Sequence, residues 1–131
     1  MSVSITPGAF YFLTGPSGSG KTTFLKLCYG ALTATSGIVS LFGTSRASMS
    51  RDEIAIARRK IGVVHQDCQF LDHLSVIENI ALPLEVAGQD RLSDQINLKE
   101  LLAWVGLNKR AEAYPPELSG GERQRAALAR A

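Results

Sequence analysis

The nine residues Gly15-Pro16-Ser17-Gly18-Ser19-Gly20-Lys21-Thr22-Thr23 constrain this chain more than any other stretch. They match G-x-x-x-x-G-K-[ST], a loop that has meaning only between a strand and a helix. Ala9-Phe10-Tyr11-Phe12-Leu13, bounded by Pro7-Gly8 and Gly15-Pro16, reads as a short buried strand before it, and Phe24 to Cys28 reads as helix after it. Without Cβ atoms the glycines let successive backbone N–H groups point inward at phosphate oxygens, and the positive end of the helix adds to that field. In this pattern Lys21 reaches the β- and γ-phosphates and Thr22 offers a hydroxyl to Mg²⁺. The plain alternative, a glycine-rich turn beside a solvated lysine, does not account for the fixed spacing in that context. The loop therefore implies a nucleoside triphosphate and an α/β fold, without saying which activity follows.

Composition narrows the rest. A chain of 131 residues, 45% hydrophobic and 20% charged, has the make-up of a globular protein and is one domain at most. A formal net charge of +2 is too small to argue for nucleic acid or an anionic membrane surface, so any partner must be argued from a site. Cys28 and Cys68 belong to no Cys-x-x-Cys or Cys/His cluster, so neither a disulfide framework nor a structural zinc is expected. The two uncharged stretches, Met1 to Gly20 and Leu27 to Ser45, are broken by Gly, Ser and Thr, and neither approaches the roughly 20 apolar residues of a membrane span. The N-terminus lacks the basic start and small-residue cleavage site of a signal peptide, and the expected location is the cytoplasm.

Past the first helix, residues 33–37 read as a loop and Ile38 to Phe42 as a strand ended by Gly43. Ser50 with Glu53 forms a capping box that opens a helix running to Lys60, whose terminal Arg58, Arg59 and Lys60 read as solvated charge at a helix end. Ile61 to His65 reads as a second buried strand, ending in Gln66-Asp67. A second capping box, Ser75 with Glu78, opens a helix that Pro83 limits or kinks. Leu98, Leu101, Leu102 and Val105 then recur at helical spacing up to Gly106, with Trp104 beside them as packing. Residues 67–116 thus read as wholly helical, and residues 1–66 as alternating strands and helices: a helical insert on an α/β core.

Near the end, Leu118-Ser119-Gly120-Gly121-Glu122-Arg123-Gln124-Arg125 follows Pro115-Pro116 and leads into an Ala-, Leu- and Arg-rich helix. A serine and two glycines at a helix N-terminus suit a phosphate, although the tripeptide alone is as compatible with a flexible turn. With this octet the whole chain resembles the ATP-binding subunits of ABC transporters. LSGGERQR matches that family's signature, GPSGSGKTT its Walker A loop, and Gln66 in VVHQD stands where its Q-loop glutamine would.

The resemblance implies a P-loop NTPase core with an all-helical subdomain, α/β pieces at about 1–66 and 117–131 and helices at about 67–116. It also implies a head-to-tail homodimer binding ATP and Mg²⁺. Gly15 to Thr23 would cradle phosphate, Thr22 and Gln66 would hold Mg²⁺, and Ser119, Gly120 and Gly121, with Glu122 and Gln124 of the same motif, would act across the dimer. The loop headed by Gln66 would report nucleotide state to an integral membrane subunit on the inner face of a bacterial membrane. Within the family, FYFLTGPSGSGKTTFLKL and IGVVHQDCQFLDHLSVIENIALPLEVAG are most similar to the cell-division branch, and lipoprotein-release and macrolide-export branches share the ENIALPL-type segment. A nucleotide-gated scaffold without effective hydrolysis is a further alternative.

The family pattern continues into a Walker B strand ending in Asp-Glu and then a switch histidine, and these lie outside the 131 residues. No catalytic residue is therefore assigned, and Glu122, part of the signature, is not a candidate base. The expectation is an incomplete domain that hydrolyses ATP negligibly by itself while its full-length parent is an ATPase. His65 replaces the aromatic common before the glutamine and reads as structural. Tyr11 and Phe12 read as core, so no adenine-stacking residue is named.

Overall fold

Among the described residues, three helices begin one residue after a serine whose hydroxyl accepts from the backbone N–H three positions on, while a glutamate there reaches back to the serine. Ser50 and Glu53 do this with bonds of 2.7 and 3.2 Å, Ser75 and Glu78 with 2.7 and 3.4 Å, and Ser119 and Glu122 with 2.9 and 3.4 Å. Each box satisfies donors that a helix N-terminus leaves without intrahelical partners, which is why these short segments start where they do. The computed structural model describes residues 2–88 and 91–131, with side chains described at all of these except 91–96. Residues 89–90, inside the stretch expected to be helical, lie outside the described residues.

The chain divides into two units, Met1–Arg58 and Arg59–Ala131. In the first, helix α1 spans Lys21–Cys28, a hairpin joins β1 (Ser40–Leu41) to β2 (Thr44–Ser45), and α2 spans Arg51–Arg58. Helix α1 ends in a Schellman turn: Gly30, at φ 71°, takes the left-handed conformation, with Gly30 N–H bonded to Leu27 O and Ala31 N–H to Lys26 O. The hairpin pairs Ser40 with Ser45 and Leu41 with Thr44 around Phe42 and Gly43, whose φ values of 50° and 85° are those of a type I′ turn.

Several expected strands are not formed. Residues 9–13 and 61–65 are irregular, and of Ile38 to Phe42 only Ser40–Leu41 is strand. A strand exists only as part of a ladder, and apolar pattern shows that a segment wants cover without showing what it pairs with. Among the described residues no strand lies alongside 9–13 or 61–65. The reading of Tyr11 and Phe12 as core is corrected with it: Phe12 is 85% exposed and Tyr11 half exposed. Phe10 and Phe12, two apart and so on one side of an extended segment, stack edge-to-face at 4.9 Å.

The second unit carries the apolar core. Helices α3 (Val76–Val86), α4 (Arg91–Trp104) and α5 (Gly120–Arg130) bury Val76, Ile80, Leu98, Leu102, Val105, Leu107, Leu118 and Ala126 in one cluster. The residues that close the helical stripe are those the periodicity selects, and a Schellman turn at Gly106 (φ 71°) ends α4, with Leu107 N–H reaching Leu102 O at 2.7 Å. Helix α3 continues through Pro83 to Val86. Its first N–H groups find acceptors outside the helix: Val76 donates to Ala113 O at 2.9 Å and Ile77 to Ala111 O at 3.0 Å. Trp104, expected to pack, is 80% exposed on the last turn of α4. Helix α5, placed with the α/β core by sequence, contributes Ala126 to the helical cluster. No helix among the described residues is long and apolar enough to cross a membrane.

Candidate functional site

The Walker A residues form one local structure within the first unit. Ser19 N–H closes a turn onto Pro16 O at 3.3 Å, and Gly18 and Gly20 take φ values of 78° and 89°, in the region that favours glycine. At Gly15 a different constraint acts, since a Cβ there would sit 2.8 Å from Ser19 Oγ. Gly20 is the N-cap of α1 and, having no side chain, supplies no cap, so the first intrahelical bond is Phe24 N–H to Gly20 O at 2.9 Å. The N–H groups of Lys21, Thr22 and Thr23 have no acceptor among the described residues. Lys21 bends back over the loop, its Nζ donating to Gly15 O and Pro16 O at 2.7 Å each and lying 3.4 Å from Ser19 Oγ. The ammonium, the free N–H groups and the exposed Thr22 hydroxyl thus gather at one helix end.

Gln66 lies in the second unit, exposed, with Asp67 beside it in a turn closed by Cys68 N–H to His65 O at 3.2 Å. The turn is tight enough to hold Cys68, which is buried, at φ 44°. Downstream the loop is anchored twice. Phe70 lies under the guanidinium groups of Arg123 and Arg130, 6.0 and 4.8 Å from its ring centre, and Arg130 also donates to Gln69 O. Asn79, wholly buried on α3, accepts from Leu71 N–H at 2.9 Å and donates to the carbonyls of Leu71, Leu74 and Ser75 at 3.0 Å. The stretch after Gln66 is therefore fixed to α3 and to the signature helix α5.

The signature forms the N-terminus of α5, and here the donors are partly taken. The Ser119 hydroxyl donates to Glu122 Oε2 at 2.7 Å while Ser119 N–H donates to the same oxygen at 2.9 Å. Arg110 Nε approaches Glu122 Oε1 at 3.2 Å. The two Ser119 donors, with a smaller contribution from Arg110, hold the Glu122 carboxyl at a pKa of about 2. Glu122 is thus an ionised structural cap. Ser119-x-x-Glu122 is the same capping pattern as those at Ser50 and Ser75, a signal that the sequence carries beside the glycines. A Cβ on Gly120 would meet nothing within 4 Å, and one on Gly121 would meet only Arg125 Nη1, at 3.7 Å. Packing among the described residues requires neither glycine.

The structure brings Gly15 to Thr23 together in one unit, and places Gln66, Ser119 to Glu122 and Gln124 in the other.

Comparison with known proteins agrees with that motif set. The ABC transporter family profile matches residues 1–131. This chain belongs to that family. It is 40% identical over 131 residues to the cell division ATP-binding protein FtsE of Streptococcus pneumoniae serotype 2, covering all of this chain and 57% of that one. It is 42% identical over 130 residues to FtsE of Bacillus subtilis, again covering 57% of it. The methionine import ATP-binding protein MetN of Vibrio cholerae is 40% identical over 131 residues, 38% of its length. Among solved structures, the ATP-binding cassette MJ0796, in a dimeric post-hydrolysis state bound to ADP and Pi, matches with a TM-score of 0.79 and 33% identity over 88% of this chain and 52% of that one. The fold is that of an ABC ATPase, a P-loop NTPase with a helical part. The chain spans a little over half the length of the FtsE relatives it matches.

Proposed function

We propose that this chain is part of an ATP-binding subunit that closes as a head-to-tail homodimer on MgATP and, in its full-length form, couples hydrolysis to an integral membrane partner. The observation that carries this reading is the helix end at Lys21, where N–H groups without acceptors among the described residues, an ammonium held by two carbonyls and an exposed hydroxyl converge. Phosphate oxygens are stronger acceptors for an ammonium than neutral carbonyls, so Lys21 exchanges Gly15 O and Pro16 O for the β- and γ-phosphates. The N–H groups of residues 21–23 fix the phosphates by orientation, without covalent chemistry. Thr22 in the first unit and Gln66 in the second offer neutral hard oxygens of the kind Mg²⁺ takes beside phosphate, and Mg²⁺ would supply charge neutralisation at the phosphates. Ser119, Gly120 and Gly121, with Glu122 and Gln124 in the same motif, face the partner's nucleotide. The open space over Gly120 supports this, because backbone can approach backbone there.

The full-length subunit is read as a peripheral protein on the cytoplasmic face of a bacterial inner membrane, in cell division with an FtsX-like permease docking near the Gln66 loop and the helical part. Support comes from FtsE at 40–42% identity and from the segment IGVVHQDCQFLDHLSVIENIALPLEVAG. The second reading, a transport ATPase, is supported by MetN at 40%. Replacing the corresponding gene segment with a Lys21→Ala version separates the two. Filamentous cells are expected on the first reading, and a nutrient-uptake defect in normally dividing cells would reject it.

A further inference from the structure

Outside the Walker A loop, the first unit has a second concentration of positive charge. Arg46, in the 3-10 turn Arg46–Ser48, and Arg51 and Arg58, the first and last residues of α2, line an open surface depression of about 570 Å³ with Asp52, Ile54 and Ala55. Arg51 and Arg58 are seven apart, so they share a helix face about 10 Å apart along the axis, and the small Ala55 between them leaves room.

Two of the three guanidinium groups are already oriented. Arg58 donates through Nε to Tyr29 O at 3.3 Å and through Nη2 to Gly30 O at 2.8 Å, and Arg46 Nε donates to Gly30 O at 3.4 Å. The Schellman turn of α1 presents those carbonyls, and Arg58, exposed as expected, is also held to them. Each guanidinium carries five N–H donors, so most remain for a ligand, and side chains already fixed lose little freedom on binding. Arg51 has no hydrogen bond or ion pair among the described residues, and Asp52 is the single carboxylate of the lining.

We propose that Arg46, Arg51 and Arg58 form a second anion site, separate from the Lys21 loop, for a ligand bearing two or more phosphate groups. The span from Arg51 to Arg58 suits an extended phosphate chain or a phosphorylated headgroup, and forked donors read phosphate in pairs. The site does not depend on the nucleotide reading, and a Lys21→Ala background keeps the two apart. In that background, inorganic tripolyphosphate titrated by calorimetry is expected to bind, and Arg51→Gln to weaken it by about tenfold, the loss of one charge-assisted contact. Because Arg51 makes no hydrogen bond or ion pair among the described residues, circular dichroism of Arg51→Gln should be unchanged. A parallel arm measures co-sedimentation with cardiolipin/phosphatidylcholine vesicles, whose cardiolipin headgroup carries two phosphates, against phosphatidylcholine alone. Tripolyphosphate binding reduced by Arg51→Gln supports a soluble ligand, and vesicle binding alone, reduced by the same change, supports a lipid headgroup. Binding indifferent to Arg51→Gln, or absent in both arms, overturns the proposal.

Discussion

The N-termini of α1 and α5 carry the two glycine-rich motifs, and they are finished in opposite ways. Gly20 gives α1 no side-chain cap, its first N–H groups have no acceptor among the described residues, and the Lys21 ammonium folds back over the loop. Ser119 and Glu122 close α5 with a capping box, an ionised carboxylate and an ion pair to Arg110. The same backbone field thus serves two ends. One terminus keeps its donors for an external anion, whereas the other uses a carboxylate of its own to stay helical and leaves open the space above Gly120.

The comparison can be broken at either end. The largest effect is expected from Lys21→Ala, which removes the charge at the open terminus and should weaken MgATP binding about 10- to 100-fold with folding unchanged, as calorimetry and circular dichroism would report. At the closed terminus Ser119→Ala removes the cap and should lower the stability of the helical unit by about 1 kcal/mol in urea titrations, an effect without counterpart at Gly20. Acid acts on the same terminus. Because the folded pKa of Glu122 is depressed to about 2, its stabilising contribution is complete above the ordinary carboxylate range and is lost as pH falls toward 2. Glu122→Gln should flatten that part of the stability–pH curve, and an unchanged curve would show that the box does not hold in solution. The smallest effect on folding is expected from Gly120→Ala, within about 0.5 kcal/mol, since the added methyl meets nothing. Its effect should appear instead in MgATP-dependent dimerisation of the full-length subunit, measured by sedimentation.

What the sequence made legible follows from which interactions are local. The Walker A turn, the boxes at Ser50 and Ser75 and the stop at Gly106 are set by residues within a few positions, and all appear where the pattern puts them. The stripe of Leu98, Leu102 and Val105 was equally readable because a helix decides its own buried face. The strands at 9–13 and 61–65 were not, because a strand depends on a neighbour that pattern does not name, and the exposure of Phe10 and Phe12 follows from the same dependence. Trp104 was misplaced because an aromatic beside a buried stripe can fall on either side of its edge. The ties from Asn79 and Phe70 to the loop after Gln66 join residues distant in sequence, and no short motif signals them.

The account turns on whether the open helix end at Lys21 receives phosphate. A backbone amide NMR titration of this chain with MgATP addresses that residue by residue and tolerates weak binding. The predicted result is that the amides of residues 15–23 shift together and saturably, that Lys21→Ala moves the midpoint to about 10- to 100-fold higher MgATP, and that the capped amides around Ser119 stay still in the monomer. Amides 15–23 that remain unmoved at millimolar MgATP, or move equally in Lys21→Ala, would contradict it.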